Sequence, residues 1–186
     1  STRLPRAIRD VYKRQSEEYL NKISETIYHN DCKYIEFYRV KDLCERQKGI
    51  QITAKKMKEL NNENGPIKVF AGGNTFANLE IDAVGQENII DKESVIVKSR
   101  GNIDFEFFDK PFTHKNELWS YSSKYKDKLN IKYLFYILKN NINYFKNKTT
   151  SGKLPQISTS ITDNYKIPVP SIETQQKIIQ ALDKFT

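Results

Sequence analysis

The chain has 186 residues, with 31 Lys+Arg against 23 Asp+Glu for a formal charge of +8, and 38% of its residues are hydrophobic. This is the profile of one globular domain, long enough to bury a core without staples. Only Cys32 and Cys44 are present, which excludes a disulfide scaffold and suggests a reducing compartment, and the longest apolar runs fall far short of a membrane span.

Residues 1–15 hold Arg3, Arg6, Arg9, Lys13 and Arg14 against Asp10, which is +4 of the +8. Within them, Asp10-Val11-Tyr12-Lys13-Arg14-Gln15 resembles the translation of a sequencing-library adapter. This segment is therefore expected to be a cloning scar, the alternative being an arginine-rich tail. The placement of charge along the chain is consequently more informative than its sum.

From residue 16 the patterning becomes regular. Leu20, Ile23 and Ile27 recur at helical spacing over 16–28, and 34–40 reads as a strand. Lys41 to Gln47 reads as a short helical turn before Gly49, and 53–60 as a helix opened by Thr53. A polar loop, Asn61 to Pro66, leads into a strand at Ile67–Ala71 and the turn Gly72-Gly73-Asn74. A second strand, Val95–Lys98, runs into Ser99-Arg100-Gly101, after which Ile103, Phe105 and Phe107 alternate with Asp104 and Glu106. Glu117–Tyr121, with the single tryptophan Trp119, reads as another strand.

Over 130–146, Ile131, Leu134, Phe135, Leu138, Ile142 and Phe145 form one helical face. Tyr165–Pro170 is extended, and Ser171 caps a last helix carrying Ile172, Ile178, Ile179, Leu182 and Phe185. The expected fold is α+β: a mostly antiparallel, curved sheet with flanking helices, ending in a helix that begins a coiled-coil spacer. The expected boundaries are a tail at 1–15, the end of a preceding helix at 16–30, a domain at 31–170 and a spacer helix from 171.

Catalytic chemistry is poorly represented. His29 and His114 with Cys32 and Cys44 could make a zinc site only by an unusual arrangement, and a structural cysteine with surface histidines is the plainer reading. No phosphate loop and no nucleophile elbow occur. Of the 23 acids, only Asp31 precedes a lysine, Lys33, at the spacing of metal-dependent nucleases, and it sits ahead of a strand instead of on one.

Binding chemistry is better represented. Lysines 124, 126, 128, 132, 139, 146, 148 and 153 face a single acid, Asp127, with Tyr125, Tyr133, Tyr136 and Tyr144 interleaved. Such a stretch suits phosphates, although a solvated lysine-rich surface with tyrosines at the core edge has the same composition. Three polar turns follow apolar elements: Gly72-Gly73-Asn74-Thr75, Lys98-Ser99-Arg100-Gly101-Asn102, and Thr149-Thr150-Ser151-Gly152-Lys153 through Gln156. Arg, Asn and Gln can pair two-pronged with base edges in the major groove, and ordinary turns use the same residues.

The order of motifs resembles a target recognition domain of the specificity subunit of type I restriction-modification systems. The residues concerned are Val40-Lys41-Asp42-Leu43-Cys44 with Gly49, Val69-Phe70-Ala71-Gly72-Gly73, and Val95-Ile96-Val97-Lys98-Ser99-Arg100-Gly101. They continue through Tyr133–Leu138, Ser151-Gly152-Lys153-Leu154-Pro155-Gln156-Ile157-Ser158, Ile167-Pro168-Val169-Pro170, and the helix with Gln175, Gln176, Ile178, Ile179 and Leu182.

The resemblance implies a non-catalytic module without cofactors that reads one half of a split double-stranded DNA target. It also implies methyltransferase subunits as partners, a restriction subunit reached through them, and a cytoplasmic, nucleoid-associated place in a bacterial cell. A full subunit carries two such domains and two long helices, so a single half would pair with a copy of itself through its terminal helices. Gly73, Asn74, Thr75, Lys98, Arg100, Asn102, Lys153 and Gln156 are expected near DNA, with Arg100 and Gln156 on base edges and the lysines on phosphates. Alternatively, Arg100 pairs with Asp104 or Glu106. The rival function is a degenerate half that serves only protein interaction; a small nuclease using Asp31 and Lys33 is the more distant one.

Overall fold

A computed structural model describes residues 35–150 and 154–185. The tail at 1–15 and the helix expected at 16–30 lie outside the described residues, as do Asp31, Lys33 and Lys153. In chain order the elements are β1 (Glu36–Arg39), α1 (Val40–Leu43), β2 (Cys44–Lys48), α2 (Ala54–Leu60), β3 (Ile67–Phe70) and β4 (Phe76–Leu79). After α3 (Ile81–Val84) come β5 (Ser94–Lys98), β6 (Asp104–Phe108), β7 (Phe112–His114) and β8 (Trp119–Ser123). The chain closes with α4 (Ile131–Asn140), α5 (Ile142–Lys146), α6 (Thr159–Asp163), β9 (Lys166–Val169) and α7 (Ile172–Leu182).

The fold is α+β with mainly antiparallel pairing, distributed over three small sheets. The central one has the order β2-β8-β5-β6, all antiparallel; β4-β3-β7 contains one parallel pair, β3 with β7; and β1 pairs with β9. A coiled-coil spacer is not part of what is seen, since α7 gives way to a 3-10 turn at Asp183–Phe185.

Several local differences have simple causes. The segment after β1 is helical only as far as Leu43, whose side chain is buried with that of Val40, and Cys44–Lys48 then pairs with β8 as a strand. The helix expected over 130–146 breaks at Asn141, whose side-chain amide donates to the Ile137 carbonyl at 2.8 Å. Asparagine competes in this way with the helical ladder, and the redirected α5 still delivers Phe145 to the core, edge-on to Phe105 at 4.8 Å between centroids.

Two helix starts follow the caps expected from the sequence, Thr53 and Ser171, and Asn130 caps a third. Thr53, Asn130 and Ser171 each accept a hydrogen bond from a backbone N–H in the first turn of α2, α4 and α7. The main core lies between the central sheet and α4, where Ile131, Leu134 and Leu138 meet Val95, Val97, Phe105 and Tyr121. A separate cluster of Met57, Ile67, Val69, Ala77 and Leu79 holds the β3–β4 lobe together.

Two buried polar side chains lock these parts. Gln175, fully buried on α7, accepts from Asn130 N at 2.9 Å and donates to the Lys128 and Pro170 carbonyls at 2.8 and 2.9 Å. His114, also fully buried, sets Nδ1 against the Lys115 carbonyl and Nε2 against Ser120 Oγ, each at 3.1 Å. Its burial disfavours the charged ring and holds its pKa below the ordinary 6.5. Burial likewise pushes the Cys44 thiol up to about 12, leaving it inert as a nucleophile or thiolate ligand.

Replacing Gln175 with Ala strands three buried backbone groups and is expected to cost about 2–4 kcal/mol in urea denaturation, whereas the exposed neighbour Gln176→Ala stays within about 0.5 kcal/mol. Because folding depresses the His114 pKa, the unfolded chain binds the proton first as pH falls. The resulting stability is complete above pH 6.5 and is lost as pH drops through the lower folded-state value. The urea midpoint should therefore decline as pH falls below 6.5, with a shallower slope in His114→Asn.

Candidate nucleic-acid interface

The three polar turns, separated in sequence, are joined in space. The first closes the β3–β4 hairpin, where Ala71 N bonds to Thr75 O at 2.9 Å and Gly73 takes a left-handed conformation with φ 67°. A side chain would be strained there, so the glycine sets the tip that presents Asn74 and Thr75 to solvent.

The second turn follows β5. Ser99 is buried and donates from Oγ to the Glu117 carbonyl at 2.6 Å, which fixes the strand end. Arg100 then projects outward, Gly101 turns the chain at φ 77°, and Asn102 is exposed before Ile103 re-enters the core.

The third segment is stitched onto the second. Gly101 N donates to Pro155 O at 2.8 Å, Ile157 N donates to Ser99 O at 3.0 Å, and Thr150 N donates to Gln156 O at 2.9 Å. Arg100 and Gln156 are thereby an antiparallel bridge pair. The two bonds that flank the pair place it at the narrow, non-hydrogen-bonded position of a ladder. At that position Cα atoms approach to about 4.5 Å and the two side chains leave on the same face. Buried Ile157 anchors the segment from beneath.

Lys98 was expected on a phosphate, and the structure places it elsewhere. Its ammonium is nearly buried, pairs with Glu106 Oε2 at 2.7 Å and lies 3.4 Å from Asn74 Oδ1. The reason is strand alternation beside a carboxylate. Lys98 stands opposite Asp104 in the β5–β6 register, and Glu106 two residues on reaches the same inward side. Lys98 therefore orients Asn74 and couples the hairpin to the central sheet.

Arg100 does not pair with either neighbouring carboxylate. Glu106 is taken by Lys98 and Asp104 by Lys139, and among the described residues no side-chain partner engages the Arg100 guanidinium. Asn102 and Gln156 are likewise exposed beside it.

The lysine-rich stretch is divided in its uses. Lys124 donates to the Lys41 carbonyl at 2.8 Å, Lys128 to Tyr38 Oη at 2.6 Å, and Lys132 pairs with Asp183 at 2.7 Å. Lys132 and Lys139 line a groove of about 670 Å³ between β6 and α4, in which lysines and carboxylates are matched. The lysines of this stretch left exposed with neither an ion pair nor a hydrogen-bond partner among the described residues are Lys126, Lys146 and Lys148. The last two flank the loop into Thr150, beside Gln156; Thr149 Oγ1 donates to the Lys146 carbonyl at 2.9 Å. Of the interleaved tyrosines, Tyr133 is buried and donates to the Pro168 carbonyl at 3.0 Å, while Tyr125 and Tyr144 are exposed.

Among the described residues no three His, Cys, Asp or Glu side chains converge as metal ligands, and no helix is long and apolar enough to cross a membrane. What the site presents is one arginine, two asparagines and a glutamine on rigidly tied turns, bordered by free lysines. Side chains of these types have the donors and acceptors to pair with base edges and phosphates.

The family model described as the type I restriction modification DNA specificity domain matches residues 33–186. The fold is similar to that of the type I restriction-modification S subunit from M. genitalium, with a TM-score of 0.63 and 19% identity over 82% of this chain and 39% of that one. It is also similar to the HsdS subunit from Thermoanaerobacter tengcongensis, with a TM-score of 0.63 and 15% identity over 97% of this chain and 46% of that one. A third likeness is to a chain in a structure addressing complex assembly and conformational transition of the type I R-M system, with a TM-score of 0.59 and 15% identity, covering 96% and 47% of the two chains. The chain thus spans less than half the length of each solved relative. No curated protein matches it.

If Lys98 is the tie between sheet and hairpin, Lys98→Met leaves Glu106 without its cation and should lower stability by about 1–3 kcal/mol in urea denaturation. Adding Glu106→Leu should recover part of that loss, a coupling read from the double-mutant cycle.

Proposed function

This chain belongs to the type I restriction modification DNA specificity domain family, and on that premise we propose that it reads one half of a bipartite double-stranded DNA target. The observation that carries this reading is the Arg100–Gln156 bridge pair, an arginine and a glutamine side by side on an exposed face with no internal partner for the guanidinium among the described residues. Arg100 and Gln156 reach base edges, Asn74 and Asn102 extend the read surface, and Thr75 with the Gly73 backbone lies close to the duplex. Lys146 and Lys148, with Lys153, meet phosphates. Lys98 acts indirectly, by holding Asn74.

The domain carries recognition, and methylation and cleavage belong to methyltransferase and restriction subunits that it positions on DNA. A second copy of the domain, paired through α7, would supply the other half of such a site. The corresponding location is the bacterial cytoplasm, in association with the nucleoid.

One observation favours a second reading, a half retained only for protein interaction. Four lysines of the basic stretch, Lys124, Lys128, Lys132 and Lys139, are spent on internal partners. The two readings part in one experiment, selection of a random duplex pool by the full chain at two salt concentrations. A specificity module enriches a half-site and binds it more weakly at high salt; an interaction module enriches nothing.

On the enriched site, Arg100→Ala should cost about 1–3 kcal/mol and leave binding to random duplex unchanged. Lys146→Ala should weaken both duplexes alike and reduce the slope of log affinity against log salt by about 1.

A further inference from the structure

The face that carries Arg100 and Gln156 includes an apolar side chain that no core cluster of the described residues uses. Leu154 is 48% exposed and belongs to none of the three core clusters. It lies two residues before Gln156, and the antiparallel register that sets Arg100 against Gln156 brings Leu154 opposite Asn102. Its Cδ1 would stand 3.6 Å from a Cβ at Gly101, so it sits directly over the turn between the two exposed polar residues.

Other exposed apolar groups differ in placement. Phe37, Ile81 and Tyr125 lie outside the three turns, and Phe76, next to the hairpin, is covered by the Lys68 ammonium at 4.1 Å from its ring centroid. Tyr144, on α5, packs its ring against Phe145 and Tyr165, so among the described residues Leu154 is the exposed large apolar side chain set between candidate base-reading residues without a cover.

We propose that Leu154 is a specificity-determining residue that packs on the C5 methyl of a thymine adjacent to the base engaged by Arg100 and Gln156. The inference rests on the DNA-reading function proposed above. Thymine is the only base that offers an apolar group in the major groove, and an aliphatic side chain held among hydrogen-bonding readers is suited to it. Cytosine at the same position puts a bare ring carbon there, and the contact is lost.

The test removes the methyl alone. The full chain selects its duplex from a random pool, and each thymine of the enriched site is then replaced in turn by deoxyuridine. One replacement, next to the base whose readout is lost in Arg100→Ala, is expected to weaken binding about fourfold, the worth of one buried methyl group. In Leu154→Ala that particular penalty should vanish, while Leu154→Met, which keeps an apolar tip, should retain it. Because Leu154 is exposed, both variants should melt as the parent does.

Deoxyuridine without effect at every thymine, or a penalty that persists unchanged in Leu154→Ala, overturns the assignment while leaving DNA reading intact. Equal loss by Leu154→Ala on all duplexes also overturns it, since the side chain would then act as a sequence-independent wedge. A pool that enriches no sequence removes the DNA-reading function itself, and this assignment with it.

Discussion

Two backbone hydrogen bonds, from Gly101 to Pro155 and from Ile157 to Ser99, fasten the turn after β5 to a segment far along the chain, and a third, from Thr150 to Gln156, closes that segment on itself. The candidate surface depends on this seam. It converts two loops, each with its own conformational freedom, into a short two-stranded ladder whose side chains leave in a fixed direction. Ordering a loop backbone at the moment of binding is costly, and a ladder residue has already given up that backbone freedom. Ser99 and Ile157, buried beneath the seam, tie its two halves to the core, so that the direction in which Arg100 points is set by packing.

The electrostatics follow from the same economy of space. A net positive chain near DNA invites the assumption that its lysines face phosphates. Here the low accessibility of Lys98 makes its ammonium useful only with a carboxylate at hand, and Glu106 supplies one. Lys132 and Lys139 are matched by Asp183 and Asp104 along the β6–α4 groove. The charge available to a polyanion is correspondingly smaller than the formal total, and part of it, Lys146 and Lys148 at the end of α5, stands beside the seam. Long lysine stems also span between elements, as when Lys124 reaches the Lys41 carbonyl and Lys128 lies 3.9 Å from the centroid of the Tyr38 ring.

Much of the local structure was legible in the sequence. The apolar stripe from Ile131 to Leu138, the alternation through Phe105, and the caps Thr53 and Ser171 are short-range signals, and each acts within a turn or a strand of its own position. Strand β7 and helix α6 were not legible. The three residues of β7 are held by parallel pairing with β3, and α6 is held by Trp119 and Tyr121, which both hydrogen-bond Thr162 Oγ1. No pattern within such short segments records partners so distant in sequence. Strand β4 was missed for a related reason: Phe76–Leu79 buries only Ala77 and Leu79, a weak alternation that its hairpin partner completes.

For the functional surface, the sequence by itself determined the chemical kinds: arginine, asparagine and glutamine beside glycines in three polar turns, a lysine excess nearby, and little of the usual equipment of catalysis. It also carried the order of motifs by which the family resemblance could be stated. Only the tertiary structure decided that Arg100 and Gln156 are neighbours, that Lys98 points inward, and that Leu154 is left uncovered between them and Asn102. The physical reason is that side-chain type is a property of one position, whereas direction, burial and partnership are properties of pairs. Pairs across a seam such as Ser99–Ile157 exist only once the core beneath them has formed.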